Sequence, residues 1–160
     1  GTGKGRFLVE LASARPDTVF LGLETRLGFN LEVQRRAGKR GLTNVWSTWG
    51  DARVTMPLLV EPGQASEGYL LFPDPWWKHK HARRRHGAAM IGAFATALRA
   101  GGRMVVKSDI EEYRDVLAAT FAADPRFAAA PMPTDLPLTD RERRIVSDGT
   151  NVFAAAFVRQ

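Results

Sequence analysis

Short apolar runs alternate with amphipathic segments along most of the chain. In residues 6–14, Phe7, Leu8 and Leu11 fall on one face of a helix. The apolar run at 19–23 has the length and composition of a buried strand. An alternation of strands and helices is typical of the α/β class.

The same alternation continues to the end of the chain. It predicts further strands at 45–50, 69–72, 103–107 and 152–158, and further helices that begin at Leu27 and end near Gly38 or Gly41, at 88–100 and at 110–123. Apolar strands separated by helices indicate a doubly wound, mostly parallel sheet. At 160 residues, the length predicts a single domain spanning 1–160.

Four acidic residues each follow a predicted strand: Glu24, Asp51, Asp74 and Asp109. In open α/β sheets, ligands bind outside the carboxyl ends of the strands. Each acid taken alone fits a helix N-cap equally well. All four together favour a ligand site.

A glycine turn, G-x-G-x-G, occupies Gly1, Gly3 and Gly5. Such turns normally follow a strand, so we expect the first strand of the sheet to lie in an N-terminal extension. Glu24 comes 19 residues after Gly5 (24 − 5), close to the roughly 20 expected for an acid that binds a ribose. The glycine spacing differs from the NAD fingerprint and indicates another adenosine cofactor, S-adenosylmethionine. Asp51 is then placed to contact its adenine amino group or its amino-acid end.

The charge balance favours a polyanionic partner. The net charge is +6, and basic residues cluster at 35–40, 78–86 and 141–144. These clusters form either one RNA-binding face or scattered solubilising patches, and the sequence does not place them relative to each other. The absence of cysteine excludes disulfides and thiolate metal sites and fits a reducing cytoplasm. We expect no membrane span, because no apolar run reaches the required length.

The segment 72–86 combines an acid, aromatic rings and cations. Asp74 lies between two prolines, which restrict its backbone. Trp76 and Trp77 offer faces for base stacking, and the following basic residues suit a phosphate backbone. A solvated basic turn is the alternative. The histidines within this run favour phosphate contact over a metal, so we predict no metal site.

Six short motifs occur in one order along the chain. They are Gly1-x-Gly3-x-Gly5, Phe20-Leu21-Gly22-Leu23-Glu24-Thr25-Arg26, Gly50-Asp51-Ala52, Phe72-Pro73-Asp74-Pro75-Trp76 with its basic continuation, Ser108-Asp109, and Thr139-x-x-Glu142-x-Arg144. Together they resemble the bacterial tRNA (guanine-N7)-methyltransferase family over essentially the whole chain. The resemblance implies a Rossmann-like class I methyltransferase fold and S-adenosylmethionine as cofactor. It also implies methyl transfer to N7 of a guanosine in the variable loop of tRNA.

The resemblance assigns roles to individual residues. Asp74 is the implied catalytic acid. The implied cofactor-binding residues are Gly1, Gly3, Gly5, Glu24, Asp51 and Asp74, and the implied substrate-binding residues are Lys78, Arg83, Arg84, Asp109, Thr139, Asp140, Arg141 and Glu142. Without the resemblance, Thr139 and Glu142 fit a helix start, with threonine as the cap.

Other functions fit parts of the sequence. A small-molecule methyltransferase leaves the basic run without a role, and a catalytically silent RNA-binding module leaves Glu24, Asp51 and Asp74 without one. A dehydrogenase fits the glycine spacing least. We expect a cytoplasmic enzyme with tRNA as its partner, and the sequence leaves monomer and homodimer open.

Overall fold

A computed structural model describes residues 1–74 and 87–160. These residues divide into two compact units. The first unit contains residues 1–55 and 134–149, and the second contains residues 56–133 and 150–160. That residues 1–160 form a single domain stays a prediction.

Six helices and six strands occur in the described residues. The helices are α1 (Arg6–Ala14), α2 (Leu27–Lys39), α3 (Ala52–Leu59), α4 (Gly87–Ala97), α5 (Glu111–Ala122) and α6 (Asp140–Ser147). The strands are β1 (Phe20–Glu24), β2 (Val45–Trp49), β3 (Ala65–Leu71), β4 (Leu98–Ser108), β5 (Phe127–Ala130) and β6 (Phe153–Arg159). None of the helices described is long and apolar enough to span a membrane.

The first unit is built on the parallel pair β1–β2. The strands run in register from Phe20 opposite Val45 to Glu24 opposite Trp49. Helix α1 begins at Gly5, whose φ of 78° is left-handed. A Cβ added at Gly5 would lie 2.7 Å from Val33 Cγ2, so glycine lets α1 begin close against α2.

The second unit holds a four-stranded sheet in the order β3-β4-β6-β5. Strands β3 and β4 are parallel, whereas β6 runs antiparallel to both β4 and β5. Helix α5 buries Tyr113, Leu117 and Phe121, one residue per turn of one face. The Phe121 ring lies 5.1 Å from Phe127 and 5.0 Å from Phe157, centroid to centroid, and so joins the helix to the sheet.

The α/β class and the parallel strand pairs joined by helices confirm the predicted fold class. The predicted end of the helix at 88–100 was wrong, because residues 98–100 begin β4. Leu98 pairs with Ala65, so the sheet and not the helix takes the backbone there. From this pair to the next, at Glu67 and Arg103, β4 advances five residues (98 to 103) and β3 two (65 to 67). The glycines at 101 and 102 lie in this irregularity instead of ending a helix.

Candidate active site

The glycine turn lies against the carboxyl end of β1 in the first unit. The Thr2 N–H donates to the Leu23 carbonyl at 3.1 Å, and the Gly5 N–H donates to the Thr2 carbonyl at 3.1 Å. Gly3 has a φ of 58°, and an added Cβ there would meet nothing within 4 Å. The Thr2 hydroxyl is buried with no hydrogen-bond partner among the described residues. The turn is therefore fixed at the strand end, and there is open space beside its backbone at Gly3. The Thr2 hydroxyl remains able to form a hydrogen bond.

Glu24 ends β1 and is only 3% exposed. Its Oε2 accepts a hydrogen bond from the Gly3 N–H at 2.8 Å, and its Oε1 accepts one from the Arg26 N–H at 2.9 Å. A carboxylate oxygen has two lone pairs, so Oε2 can accept one more hydrogen bond, whereas Oε1 also accepts from the Thr25 hydroxyl at 3.4 Å. The geometry suits an acid that orders the glycine turn and keeps one acceptor site, at Oε2, for a ligand hydroxyl.

Asp51 stands at the same edge of the β1–β2 pair, because the Gly50 N–H donates to the Glu24 carbonyl at 3.0 Å. The Asp51 carbonyl accepts from the Thr55 N–H at 2.8 Å, and Oδ1 accepts from the Arg53 N–H at 3.0 Å. Asp51 therefore caps the N-terminus of α3, which agrees with the helix-cap alternative for this residue.

Arg53, which the sequence analysis did not single out, pairs with the Asp51 carboxylate. Its Nε donates to Oδ1 at 2.8 Å, and its second guanidinium nitrogen donates to Oδ2. These hydrogen bonds raise the pKa of Arg53 above its usual value. If Asp51 contacts a cofactor, the ligand must share this carboxylate with Arg53 or displace the guanidinium. The signal in the sequence that could have predicted this pairing was the position of Arg53 two residues after Asp51.

Trp49 is a second residue that the sequence analysis missed. It is paired with Glu24 across the strands and is 61% exposed, yet its Nε1–H donates to the Thr25 carbonyl at 2.9 Å. An indole that is anchored at one edge and open on its face offers a flat apolar surface beside Glu24. The signal in the sequence that could have identified Trp49 was its position immediately before Gly50-Asp51.

In the second unit, Asp74 follows a strained turn. Phe72 has a φ of 53° and is the one non-glycine residue with positive φ in the part of the chain that the structure describes. Its N–H donates to the Lys107 carbonyl at 2.8 Å, which extends the pairing of β3 with β4. A non-glycine residue with a left-handed backbone lowers the stability of the folded state by on the order of 1–3 kcal/mol. Here it changes the direction of the chain between the end of β3 and Pro73-Asp74.

Tyr113 ties the Asp74 backbone to the core. Its ring is fully buried in α5, and its hydroxyl donates to the Asp74 carbonyl at 3.2 Å. Burial, with a smaller contribution from the Asp74 charge, raises the pKa of Tyr113 above its usual value, so the phenol stays protonated and remains a donor. The Asp74 residue itself is exposed. A rigid core residue thus holds the main chain of a solvent-facing acid.

We expect Tyr113→Phe to slow catalysis without unfolding the protein. The ring still fills its site, but losing one hydrogen bond of about 1 kcal/mol lets the Asp74 segment move, and kcat falls roughly 5- to 10-fold. Single-turnover rates and cofactor affinity measure the effect. Tyr69→Phe is the matched control, because it removes another phenol, 2.5 Å from Glu67, in the same unit. Equal losses in both variants would contradict a specific role for Tyr113.

Asp109 lies at the same edge of the sheet as Asp74. Strands β3 and β4 are parallel, with Leu71 opposite Lys107, and each acid follows the end of its strand. Ser108 is buried, and its Oγ accepts from the Ile110 N–H at 3.0 Å at the start of α5. The structure therefore brings these two predicted residues to one edge.

Thr139 and Glu142 form a reciprocal cap at the start of α6. The Glu142 N–H donates to Thr139 Oγ1 at 2.9 Å, and the Thr139 N–H donates to Glu142 Oε2 at 2.8 Å. Between them, Asp140 forms ion pairs with Arg6 and Arg36. The helix-start alternative is confirmed, and substrate binding by residues 139–142 stays a prediction.

Thr139→Val should lower stability, since it removes the cap oxygen while keeping the side-chain shape. We expect a loss of about 1 kcal/mol and a melting temperature lower by roughly 2–4 °C. Thr139→Ser keeps the oxygen and serves as the control in thermal unfolding. Equal melting temperatures for the two variants would show that the cap contributes nothing measurable.

The predicted residues Lys78, Arg83 and Arg84, with both tryptophans of the segment, lie outside the described residues. So do the three histidines, all between 79 and 86. Within residues 1–74 and 87–160, no group of acidic or histidine side chains could hold a metal ion.

Comparison with known proteins identifies clear relatives. A family described as "Putative methyltransferase" matches residues 1–155. A tRNA (guanine-N(7)-)-methyltransferase of Synechococcus elongatus is 35% identical over 170 aligned positions, covering all of this chain and 79% of the relative. An enzyme of the same name from Anaeromyxobacter dehalogenans is 34% identical, covering 99% of this chain and 83% of the relative. In fold, the chain is similar to a SAM-dependent O-methyltransferase from Thermotoga maritima (TM-score 0.68, 19% identity, covering 99% of this chain and 57% of that one).

Proposed function

Since the chain belongs to the tRNA (guanine-N7)-methyltransferase family, we propose that it transfers a methyl group from S-adenosylmethionine to N7 of a guanosine in tRNA. The observation that carries the proposal into this structure is the buried Glu24 carboxylate bonded to the glycine turn. It supplies the acceptor that an adenosine cofactor needs, at the strand end where the fold binds ligands. We further expect the target base to lie in the variable loop.

The residues of the first unit fit S-adenosylmethionine. Glu24 Oε2 retains a lone pair for a ribose hydroxyl, and the turn around Gly3 leaves its backbone accessible. Asp51 is the candidate for the adenine or amino-acid end, shared with Arg53. When bound, the cofactor supplies a methyl group whose bond to sulfur breaks, leaving a neutral thioether, as the N7 lone pair forms the new bond.

The chemistry of guanine N7 defines what the protein must do. The lone pair lies in the plane of the base and carries no proton, so attack needs no general base. Catalysis then comes from holding the base in line and from stabilising the positive charge that develops on the purine. A carboxylate is the side chain that stabilises such a charge.

Asp74 is the residue we assign to that task. Its carboxylate either faces the developing charge or accepts hydrogen bonds from guanine N1–H and N2–H and so selects the base. Both roles need an acid with a fixed main chain, and the Tyr113 hydrogen bond and the Phe72 turn support such positioning. The basic residues at 78–86 and Asp109 are the proposed contacts to tRNA.

We also propose that the protein is cytoplasmic, which the absence of cysteine from the sequence and a tRNA substrate support.

Incubation of the full-length protein with unmodified tRNA and methyl-labelled S-adenosylmethionine tests the function. The product nucleosides are separated by chromatography, and label in N7-methylguanosine supports the proposal. Label in another nucleoside would retain RNA methylation and discard the N7 assignment. Bound tRNA without label would favour the silent RNA-binding module, and turnover of a small acceptor without tRNA would favour the small-molecule enzyme.

A further inference from the structure

A depression in the first unit is lined almost entirely by cations. Its lining residues are Arg6 and Val9 of α1 and Arg36, Lys39 and Arg40 at the end of α2, and its volume is about 180 Å³. We call these five residues the basic depression. Four cations around one apolar residue, with no acid in the lining, favour an anionic ligand.

The side chains of this depression already hold one oxyanion. Arg6 Nε donates to Asp140 Oδ1 at 2.6 Å, and Arg36 Nη1 donates to Asp140 Oδ2 at 3.2 Å. Burial alone would raise the pKa of Asp140, but the Arg6 hydrogen bond and the Arg36 charge bring it below its usual value. Two guanidinium groups from different helices thus share one carboxylate, and they also pair with Glu10 and Glu32, so their charges are compensated within the unit.

Lys39 and Arg40 differ from their basic neighbours. Arg35 is paired with Glu32 at 2.6 Å, whereas Lys39 and Arg40 are exposed and form no ion pair within residues 1–74 and 87–160. The guanidinium of Arg40 lies 3.5 Å from the Ser13 hydroxyl of α1. Cations at a helix C-terminus also stabilise the helix dipole, so a test must separate stability from binding.

Helix α6 brings a second basic cluster to this part of the unit. Its first turn carries Asp140, and Arg143 Nη2 lies 3.8 Å from Glu10 Oε1 on α1. Arg141 and Arg144 are exposed on the same helix. Two of the three basic clusters of the sequence, 35–40 and 141–144, therefore converge on the α1–α2 pair of one unit.

We infer that the basic depression and the exposed arginines of α6 form a docking surface for the phosphate backbone of tRNA. This inference rests on the proposed function, which supplies the partner. Phosphate oxygens suit guanidinium and ammonium donors, and such contacts bind without reading sequence. Lys39 and Arg40 are the principal contacts, because their charges are not compensated by a carboxylate in the described part of the chain.

The double variant Lys39→Gln/Arg40→Gln tests the surface in the full-length protein. We expect tRNA affinity to fall about 10-fold at about 0.1 M salt. The slope of log K against log salt should shrink by roughly 1.5, since each lost phosphate contact removes about 0.7–0.9. Arg99→Gln/Arg103→Gln is the matched control, because it removes two exposed cations of the second unit. Thermal unfolding of both variants separates any helix-dipole effect from binding.

The outcomes are distinguishable. A smaller slope in the Lys39/Arg40 variant than in the control supports the surface. Equal slopes in both variants, or an unchanged slope in the first, would overturn it and leave net charge as the explanation. If the unaltered protein methylates tRNA while the slope is unchanged, the docking surface fails and the function stands. If the unaltered protein neither binds nor methylates tRNA, the proposed function fails.

Discussion

Asp74→Ala should reduce methyl transfer by at least about 10²- to 10³-fold while tRNA affinity stays within about 2-fold. Asp74 is exposed, so the loss of its carboxylate leaves no buried group without a partner. Its main-chain carbonyl, which anchors the segment to Tyr113, is unaffected by the change. The effect should therefore fall on the chemical step alone.

Single-turnover methylation and a tRNA binding isotherm measure the two quantities separately. Asp17→Ala, which removes an exposed acid of the first unit, is the control for charge alone. A parallel loss of rate and tRNA affinity would remove the catalytic assignment of Asp74 and make it a binding residue.

The two roles of Asp74 can be separated with an altered base. Inosine at the target position lacks the exocyclic amino group but keeps N7. If Asp74 selects the base, the unaltered protein discriminates against inosine and Asp74→Asn loses that discrimination. If Asp74 stabilises charge, Asp74→Asn slows both bases equally.

Glu24→Gln should weaken cofactor binding by at least about 100-fold. The carboxylate accepts from two backbone N–H groups, one at each oxygen. Glutamine has a single oxygen, so its NH₂ group must face either the Gly3 or the Arg26 N–H, donor against donor. One of the two hydrogen bonds is then lost, and a buried N–H without a partner costs roughly 1–3 kcal/mol of stability.

Calorimetric titration with S-adenosylhomocysteine and chemical unfolding measure the two losses. Glu61→Gln, at an exposed acid, is the control. Retained cofactor affinity in a destabilised protein would make Glu24 a structural anchor without a role in binding. Equal affinity and stability would contradict the importance of both hydrogen bonds.

Local patterns in the sequence were sufficient to predict the structure wherever interactions between neighbouring residues determine it. Helix α1 has the predicted bounds, because its apolar spacing lies within the segment and Pro16 lies two residues after its end. The cap at Thr139 also follows from the spacing of threonine and glutamate. The α/β class followed from the alternation of such local elements.

The sequence pattern did not predict the structure where a contact with a distant strand or side chain determines it. Leu98 looks helical until its backbone pairs with Ala65. The pairing of Arg53 with the Asp51 carboxylate also became visible only in the structure. The left-handed Phe72 carries no local signal either, since glycine or asparagine normally marks such a position. The resemblance to a family supplied the candidate residues, but their hydrogen-bond partners came from the structure.

The left-handed backbone at Phe72 also bears on how this enzyme would respond to selection in the laboratory. Glycine there would adopt positive φ without the steric cost, but it would also remove a half-buried ring and add conformational freedom to the unfolded chain. The same change would widen the range of orientations open to Pro73-Asp74, whereas the role proposed for Asp74 needs a narrow range. A screen for rate should therefore keep the strained residue at position 72.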